Sequence, residues 1–226
     1  MDDLASIWLD GTAHELGWWR GWMQGRKPKP DLKARLNPRA PFDPEVEALI
    51  RAPANSTINV LDVGAGPITS LGYVSQKYTI NLTPIDALAD EYRKLLTVHQ
   101  VKVPVRSFQC HAEDIGKRFG GATFDVVHAQ NSLDHCLDPY RVILAMCAAL
   151  KPKGLLYIAT HPDEGQSGNY AGLHQWNFQV RDDRFYLWRP GVRYDVSQAL
   201  WQYGRPVIDT VGLAAESMLR VTMIKQ

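Results

Sequence analysis

The strongest constraint on this chain is the stretch Asn59 to Pro67, NVLDVGAGP, where an apolar run takes an acid and then breaks into Gly-x-Gly. Val60, Leu61 and Val63 suit a strand buried on both faces of a parallel sheet. Gly64 and Gly66 permit positive φ and let a ligand approach the backbone closely. Such a turn builds a nucleotide-sized pocket beyond the carboxyl end of a strand. Asp62 narrows what the pocket takes, because a carboxylate repels the phosphates of a dinucleotide but accepts hydrogen bonds from an ammonium group. The dinucleotide fingerprint also requires a glycine at position 69, where Thr69 stands.

From about Ser56 onward, short apolar runs alternate with helical patterns, the signature of a parallel sheet covered on both faces. Strands are expected over 58–63, 78–82, 104–109, 123–129, 154–160, 184–189 and 217–224. The KPKG run, Lys151 to Gly154, reads as a helix stop and a tight turn into the fifth strand. With 226 residues, 45% hydrophobic and 22% charged, the chain can bury one substantial core and carry a small appendage. Its 25 Lys plus Arg against 24 Asp plus Glu leave a net charge of +1. That balance gives no long-range attraction for nucleic acid or an anionic membrane, so a small-molecule partner is expected. Cys110, Cys136 and Cys147 lack C-x-x-C spacing and read as core thiols, which fits a reducing cytoplasm. No signal peptide and no membrane-spanning stretch is expected.

At Asp62-x-Gly64-x-Gly66 the sequence resembles the class I S-adenosylmethionine-dependent methyltransferases, whose first motif is an acid-x-Gly-x-Gly turn after the first strand. The resemblance implies a doubly wound, mostly parallel seven-stranded α/β sheet and S-adenosylmethionine as cofactor. It covers roughly Asn55 to Thr160. Where many members have another glycine, this chain has Ile68 behind Pro67, so the next helix is expected to start late. On the resemblance, Asp62 meets the methionyl ammonium while Gly64, Ala65 and Gly66 admit the ligand. Asp86, twenty positions beyond Gly66, takes the ribose hydroxyls with Ala87 beside it. His111, Ala112 and Glu113 hold adenine; Glu113 and Asp114 also suit a helix start, where the macrodipole favours acids.

Asn131 and Ser132 follow the fourth strand and are expected to face the cofactor and the acceptor respectively. Methyl transfer to a hydroxyl needs a base, and a histidine with an unperturbed pKa of roughly 6.5 serves. His135 is the first choice, with His174 and His161 behind it; His128, inside the strand, reads as a core histidine. Residues 1–52 are expected to form a helical cap or lid. There His14, Trp18 and Trp22 fall four apart and share a helix face. Residues 53–226 form the methyltransferase core, with an insertion at about 161–183. Trp176, Phe178 and Tyr170 are candidates for an apolar acceptor wall, and Trp18 and Trp22 on the cap are further substrate candidates. The expected activity is O-methylation of a hydroxyl-rich small molecule such as a saccharide; N-methylation of a small amine and cofactor binding without transfer are the alternatives. His161, Glu164 and His174 have no compact metal-ligand spacing, so no metal is assigned. The oligomeric state, monomer or homodimer, stays open.

Overall fold

The structure is a computed structural model that describes residues 2–26, 32–211 and 217–226. Part of the basic, Pro-rich stretch from Arg26 to Pro44 therefore lies outside the described residues. In chain order the strands are β1 (Thr57–Val63), β2 (Thr79–Asp86), β3 (Phe108–Gln109), β4 (Phe124–Gln130), β5 (Leu150–Thr160), β6 (Asn177–Arg181), β7 (Arg184–Arg189), β8 (Val192–Asp195), β9 (Pro206–Val211) and β10 (Met218–Ile224). Seven of them form one sheet in the order β3-β2-β1-β4-β5-β10-β9, with β10 antiparallel to both its neighbours. The other pairings given between neighbours are parallel. This is the seven-stranded, mostly parallel α/β sheet expected from the sequence.

The alternation in β1 shows how the sheet acquires two cores. Leu61 and Val63 pack on one face with Ile85, Val127 and Met146, while Ile58 and Val60 pack on the other with Val46, Leu71 and Tyr157. Helices α1 (Asp2–Met23), α2 (Leu32–Leu36) and α3 (Pro44–Leu49) precede the sheet. Within it and after it come α4 (Ala89–Val98), α5 (Ile115–Phe119), α6 (Pro139–Ala149), α7 (Glu164–Ser167) and α8 (Val196–Leu200). Pro139 opens α6, and the Asp138 carboxylate caps it by accepting from the Arg141 N–H at 3.1 Å. At the other end Lys225 Nζ donates to the carbonyls of Cys147 and Leu150, at 2.9 and 2.7 Å, where the helix dipole favours a cation. Among the described residues no helix is long and apolar enough to cross a membrane.

Four local expectations are corrected. The 184–189 strand exists, but β7 pairs with β6 and β8 in a separate antiparallel sheet; β9 takes the edge place in the main one. Its opening Pro206 has no ladder donor to give, which an edge strand tolerates. The segment inserted after β5 accordingly carries strand structure to Asp195, beyond 183. The third strand shrinks from 104–109 to two residues, whereas β2 runs on to Asp86 and delivers that acid to the carboxyl edge. No helix follows the β1 turn at all before β2. Residues 40–43 lie along 71–74 instead, with Phe42 N–H donating to Val74 O at 2.8 Å and Tyr73 N–H to Ala40 O at 3.0 Å. Gly72, at φ +73°, permits this approach: a Cβ there would stand 2.0 Å from Pro41 O.

Candidate active site

A cavity of about 320 Å³ opens beyond the carboxyl ends of β1, β2 and β4, where an open α/β sheet places its ligands. All ten residues assigned from the sequence to the cofactor line it: Asp62, Gly64, Ala65, Gly66, Asp86, Ala87, His111, Ala112, Glu113 and Asn131. Gly64 and Gly66 have φ of +68° and +63°. A Cβ on Gly64 would lie 2.4 Å from Ser132 Cβ, and one on Gly66 would lie 2.8 Å from the Trp19 ring.

The two acids on this side are held differently. Asp62 is 2% exposed, with Oδ2 accepting from Thr69 Oγ1 at 2.6 Å and Oδ1 2.7 Å from His128 Nδ1. The β1–β4 register, which sets Asp62 beside His128, makes that contact. His128 is buried and bonded as expected, and Thr69 uses the position of the missing glycine to lock the acid. Asp86 is half-buried at the end of β2, its Oδ2 accepting from Gly66 N–H at 2.9 Å and its Oδ1 from Leu88 N–H at 2.8 Å. Burial pushes its carboxyl up to about 6, against those two hydrogen bonds. Glu113 Oε1 accepts from the backbone of Leu137 and Asp138, at 2.9 and 3.3 Å, tying the segment after β3 to the loop after β4.

Helix α1 closes one side of the cavity. Its cavity-lining residues are Trp8, Glu15, Trp18 and Trp19, of which the sequence reading singled out only Trp18 for the site. The expected His14, Trp18, Trp22 face divides: Trp22 is buried in a cluster with Met23, Ile68 and Leu96, and Trp18 lies on the cavity wall, 40% exposed. Trp8 Nε1 donates to His135 O at 3.0 Å, and Glu15 Oε1 accepts from Trp19 Nε1 at 2.8 Å. At Gly11 the helix meets the loop before β6: a Cβ there would stand 2.7 Å from the Gly172 carbonyl carbon and from Leu173 Cδ2.

Opposite the cofactor residues, a 3₁₀ turn at Leu133–His135 brings Asp134 and His135 together with His174. Asp134 is wholly buried. Its Oδ2 lies 2.6 Å from His174 Nδ1 and 3.5 Å from His135 Nε2, and the two ring nitrogens are 3.3 Å apart. Glu164 Oε2, from α7, is 3.1 Å from His174 Nδ1. Burial would raise the Asp134 carboxyl, yet His135 and His174 hold it below its usual range. The hydrogen bonds to Asp134 and Glu164 push the His174 imidazolium up to about 10.

His135 and His161 line the cavity, as do Asn131 and Ser132; His174 stands behind them. Asn131 Oδ1 accepts from His161 N–H at 3.4 Å, and Ser132 Oγ donates to Val63 O at 3.0 Å. Trp22, Tyr170 and Trp176 do not reach the cavity. Trp176 is 3% exposed and donates from Nε1 to Cys136 O at 3.1 Å, while the Tyr170 hydroxyl accepts from Asn177 Nδ2 at 3.2 Å. Both brace the loop that carries His174. Asp134 was missed because its partner lies forty positions away in the chain, and the only sequence signal was the LDH triplet itself.

A methyltransferase-domain family model matches residues 34–204. Among solved structures, phosphoethanolamine N-methyltransferase 2 of Haemonchus contortus aligns with a TM-score of 0.53 at 14% identity, over 80% of this chain and 52% of that one. A protein of Haloferax volcanii, described as a methyltransferase and solved with a methyltransferase activator, gives 0.50 at 14% identity over 92% and 97%. The 1,6-didemethyltoxoflavin-N1-methyltransferase of Burkholderia thailandensis gives 0.48 at 18% identity over 93% and 86%. Such identities speak for the fold alone. A search of the curated proteins finds no match.

Proposed function

The chain belongs to the class I S-adenosylmethionine-dependent methyltransferases, and on that premise we propose that it methylates a hydroxyl of a small, hydroxyl-rich molecule such as a saccharide. When bound, S-adenosylmethionine supplies an electrophilic methyl group from its sulfonium. Asp86 fits the ribose, because a half-buried carboxylate whose pKa burial has raised to about 6 gains from two hydroxyl donors. Gly64, Ala65 and Gly66 leave the backbone open to the ligand, and Ala87, His111, Ala112 and Glu113 furnish the side where adenine would lie. Asp62 acts on the methionyl ammonium through its buried charge, since Thr69 and His128 already engage both its oxygens.

The observation that carries the hydroxyl reading is the cavity wall at His135, backed by buried Asp134 and by His174. A hydroxyl must shed its proton as it reacts, whereas a neutral amine is already nucleophilic and needs only positioning. A wall of imidazoles and carboxylates is of use to the first and of little use to the second. The test is to offer the protein methyl-labelled S-adenosylmethionine with acceptor pairs that share a skeleton and differ in a hydroxyl or an amine. Mass spectrometry is expected to find the label in methyl ethers. Label in N-methyl products alone would overturn the hydroxyl assignment, and binding of S-adenosylhomocysteine without transfer to any acceptor would favour a sensor.

A further inference from the structure

We propose that Asp134, His135 and His174, with Glu164 beside them, form a binding site for one divalent first-row transition-metal ion that faces the acceptor end of the cavity. The inference rests on the reading of that wall as the acceptor's side. Its basis is geometric. Asp134 Oδ2, His135 Nε2 and His174 Nδ1 form a triangle with edges of 2.6, 3.3 and 3.5 Å. Atoms that each stand about 2.1 Å from one ion, at angles of about 90–110°, are separated by about 3.0–3.4 Å. These three ligand atoms all lie within 4.8 Å of one another, and Glu164 Oε2 stands 3.1 Å from His174 Nδ1 beside them.

One carboxylate oxygen points to the same need. Asp134 is wholly buried, yet its Oδ1 finds no hydrogen-bond partner. An unpaired buried carboxylate oxygen is costly, and a bound cation removes that cost.

The ligands are also held in advance by their supports. Gln175 N–H donates to Asp134 O at 3.3 Å and Trp176 Nε1 donates to Cys136 O at 3.1 Å, so the His174 loop is fastened to the turn on both sides of His135. Gly165 N–H donates to Trp176 O at 3.2 Å, which fixes α7 and Glu164 to the same loop. Trp8 Nε1 holds the His135 carbonyl from the cap helix. Such supporting bonds are what orient metal ligands.

Two imidazoles with carboxylates favour borderline ions such as Co²⁺, Zn²⁺, Mn²⁺ or Fe²⁺ over Mg²⁺ or Ca²⁺, which prefer oxygen alone. His135 lines the cavity, so an open position on the ion would face the acceptor. A hydroxyl oxygen bound there has its pKa lowered and releases its proton to water. Binding of the ion displaces the proton held between Asp134 and His174. In this account the histidines expected as bases are ligands.

The test uses tag-free, chelator-stripped protein titrated with Co²⁺, followed by visible absorption and calorimetry, beside a separate titration with S-adenosylhomocysteine. The expected result is one equivalent of Co²⁺ with d–d bands of mixed nitrogen and oxygen coordination. His174→Gln and His135→Ala are each expected to weaken it about 50-fold or more while circular dichroism stays unchanged, and His174→Gln also leaves S-adenosylhomocysteine binding unchanged. His174→Gln keeps a polar side chain and guards against a folding defect. Absence of stoichiometric uptake, or equal uptake in both variants, would overturn the site. Failure of the methyltransferase reading would look different: Co²⁺ uptake intact, S-adenosylhomocysteine not bound.

Discussion

The two sides of the cavity are built in opposite ways. On the cofactor side the residues come in chain order from the ends of β1 and β2, the turn after β3 and the end of β4, places that the strand order of the sheet brings together. On the acceptor side Asp134, His135, Glu164 and His174 come from two connections, after β4 and after β5, and helix α1 lies across them. The sheet positions the first set almost for nothing, because parallel strands must end together. The second set needs its own fastenings, through Gln175, Trp176 and Trp8. One fold can thus keep its cofactor half constant and vary its acceptor half by changing loops.

The largest blow to the cofactor side is expected from Gly64→Val. A β-branched residue at φ +68° is strained, and its Cβ would stand 2.4 Å from Ser132 Cβ. Left-handed backbone and overpacking together cost about 2–5 kcal/mol. Calorimetry should find S-adenosylhomocysteine binding weakened by more than about 100-fold.

The contrast between the halves also explains what the sequence disclosed. Asp86 was legible because it follows a strand at a fixed place in the order of motifs, and the run Gly64 to Gly66 because glycines announce the backbone they permit. The Asp134–His174 contact was not, since local spacing carries no information about residues forty apart that only a folded loop brings together. Strand 184–189 was visible as a short apolar run, but such a run does not say which sheet a strand joins. The helix expected after Pro67 is replaced by pairing with residues 40–43, a tertiary event. Similarly, α1 lines the cavity with Trp8, Glu15, Trp18 and Trp19, of which the steps of four from His14 to Trp22 revealed Trp18 alone.

The pH response sharpens the comparison, because it should arise on the cofactor side alone. Asp86 has a pKa raised to about 6 in the free protein, where Glu15 of α1, Tyr92 of α4 and His135 face it. On the proposed role of Asp86, ribose hydroxyls would bind its ionised form. Affinity for S-adenosylhomocysteine is therefore full above about pH 7, falls as pH drops through 6 and declines about tenfold per unit below that. Titrations across pH 5–8 check the slope, which Asp86→Asn should abolish.

On the acceptor side, Gly11→Leu tests whether α1 and the His174 loop act together. A Cβ at Gly11 would meet the Gly172 backbone at 2.7 Å, so the helix must shift. Turnover is expected to fall about tenfold, with a cost of about 1–3 kcal/mol that lowers the melting temperature by several degrees. The smallest effect belongs to Trp176→Phe. It deletes the Nε1 donation to Cys136 O and part of a buried ring, for a loss of about 1–3 kcal/mol in urea denaturation, and leaves cofactor affinity little changed.

The division of labour between the two halves is tested most directly by titrating S-adenosylhomocysteine into the wild type, Asp86→Ala and Asp134→Asn side by side. Removal of Asp86 deletes about two charge-assisted hydrogen bonds, each about 1.5–3 kcal/mol, so affinity should fall about 100-fold or more. Asp134→Asn should bind within about twofold of the wild type while methyl transfer is lost. Equal binding by all three proteins, or a loss confined to Asp134→Asn, would contradict the account.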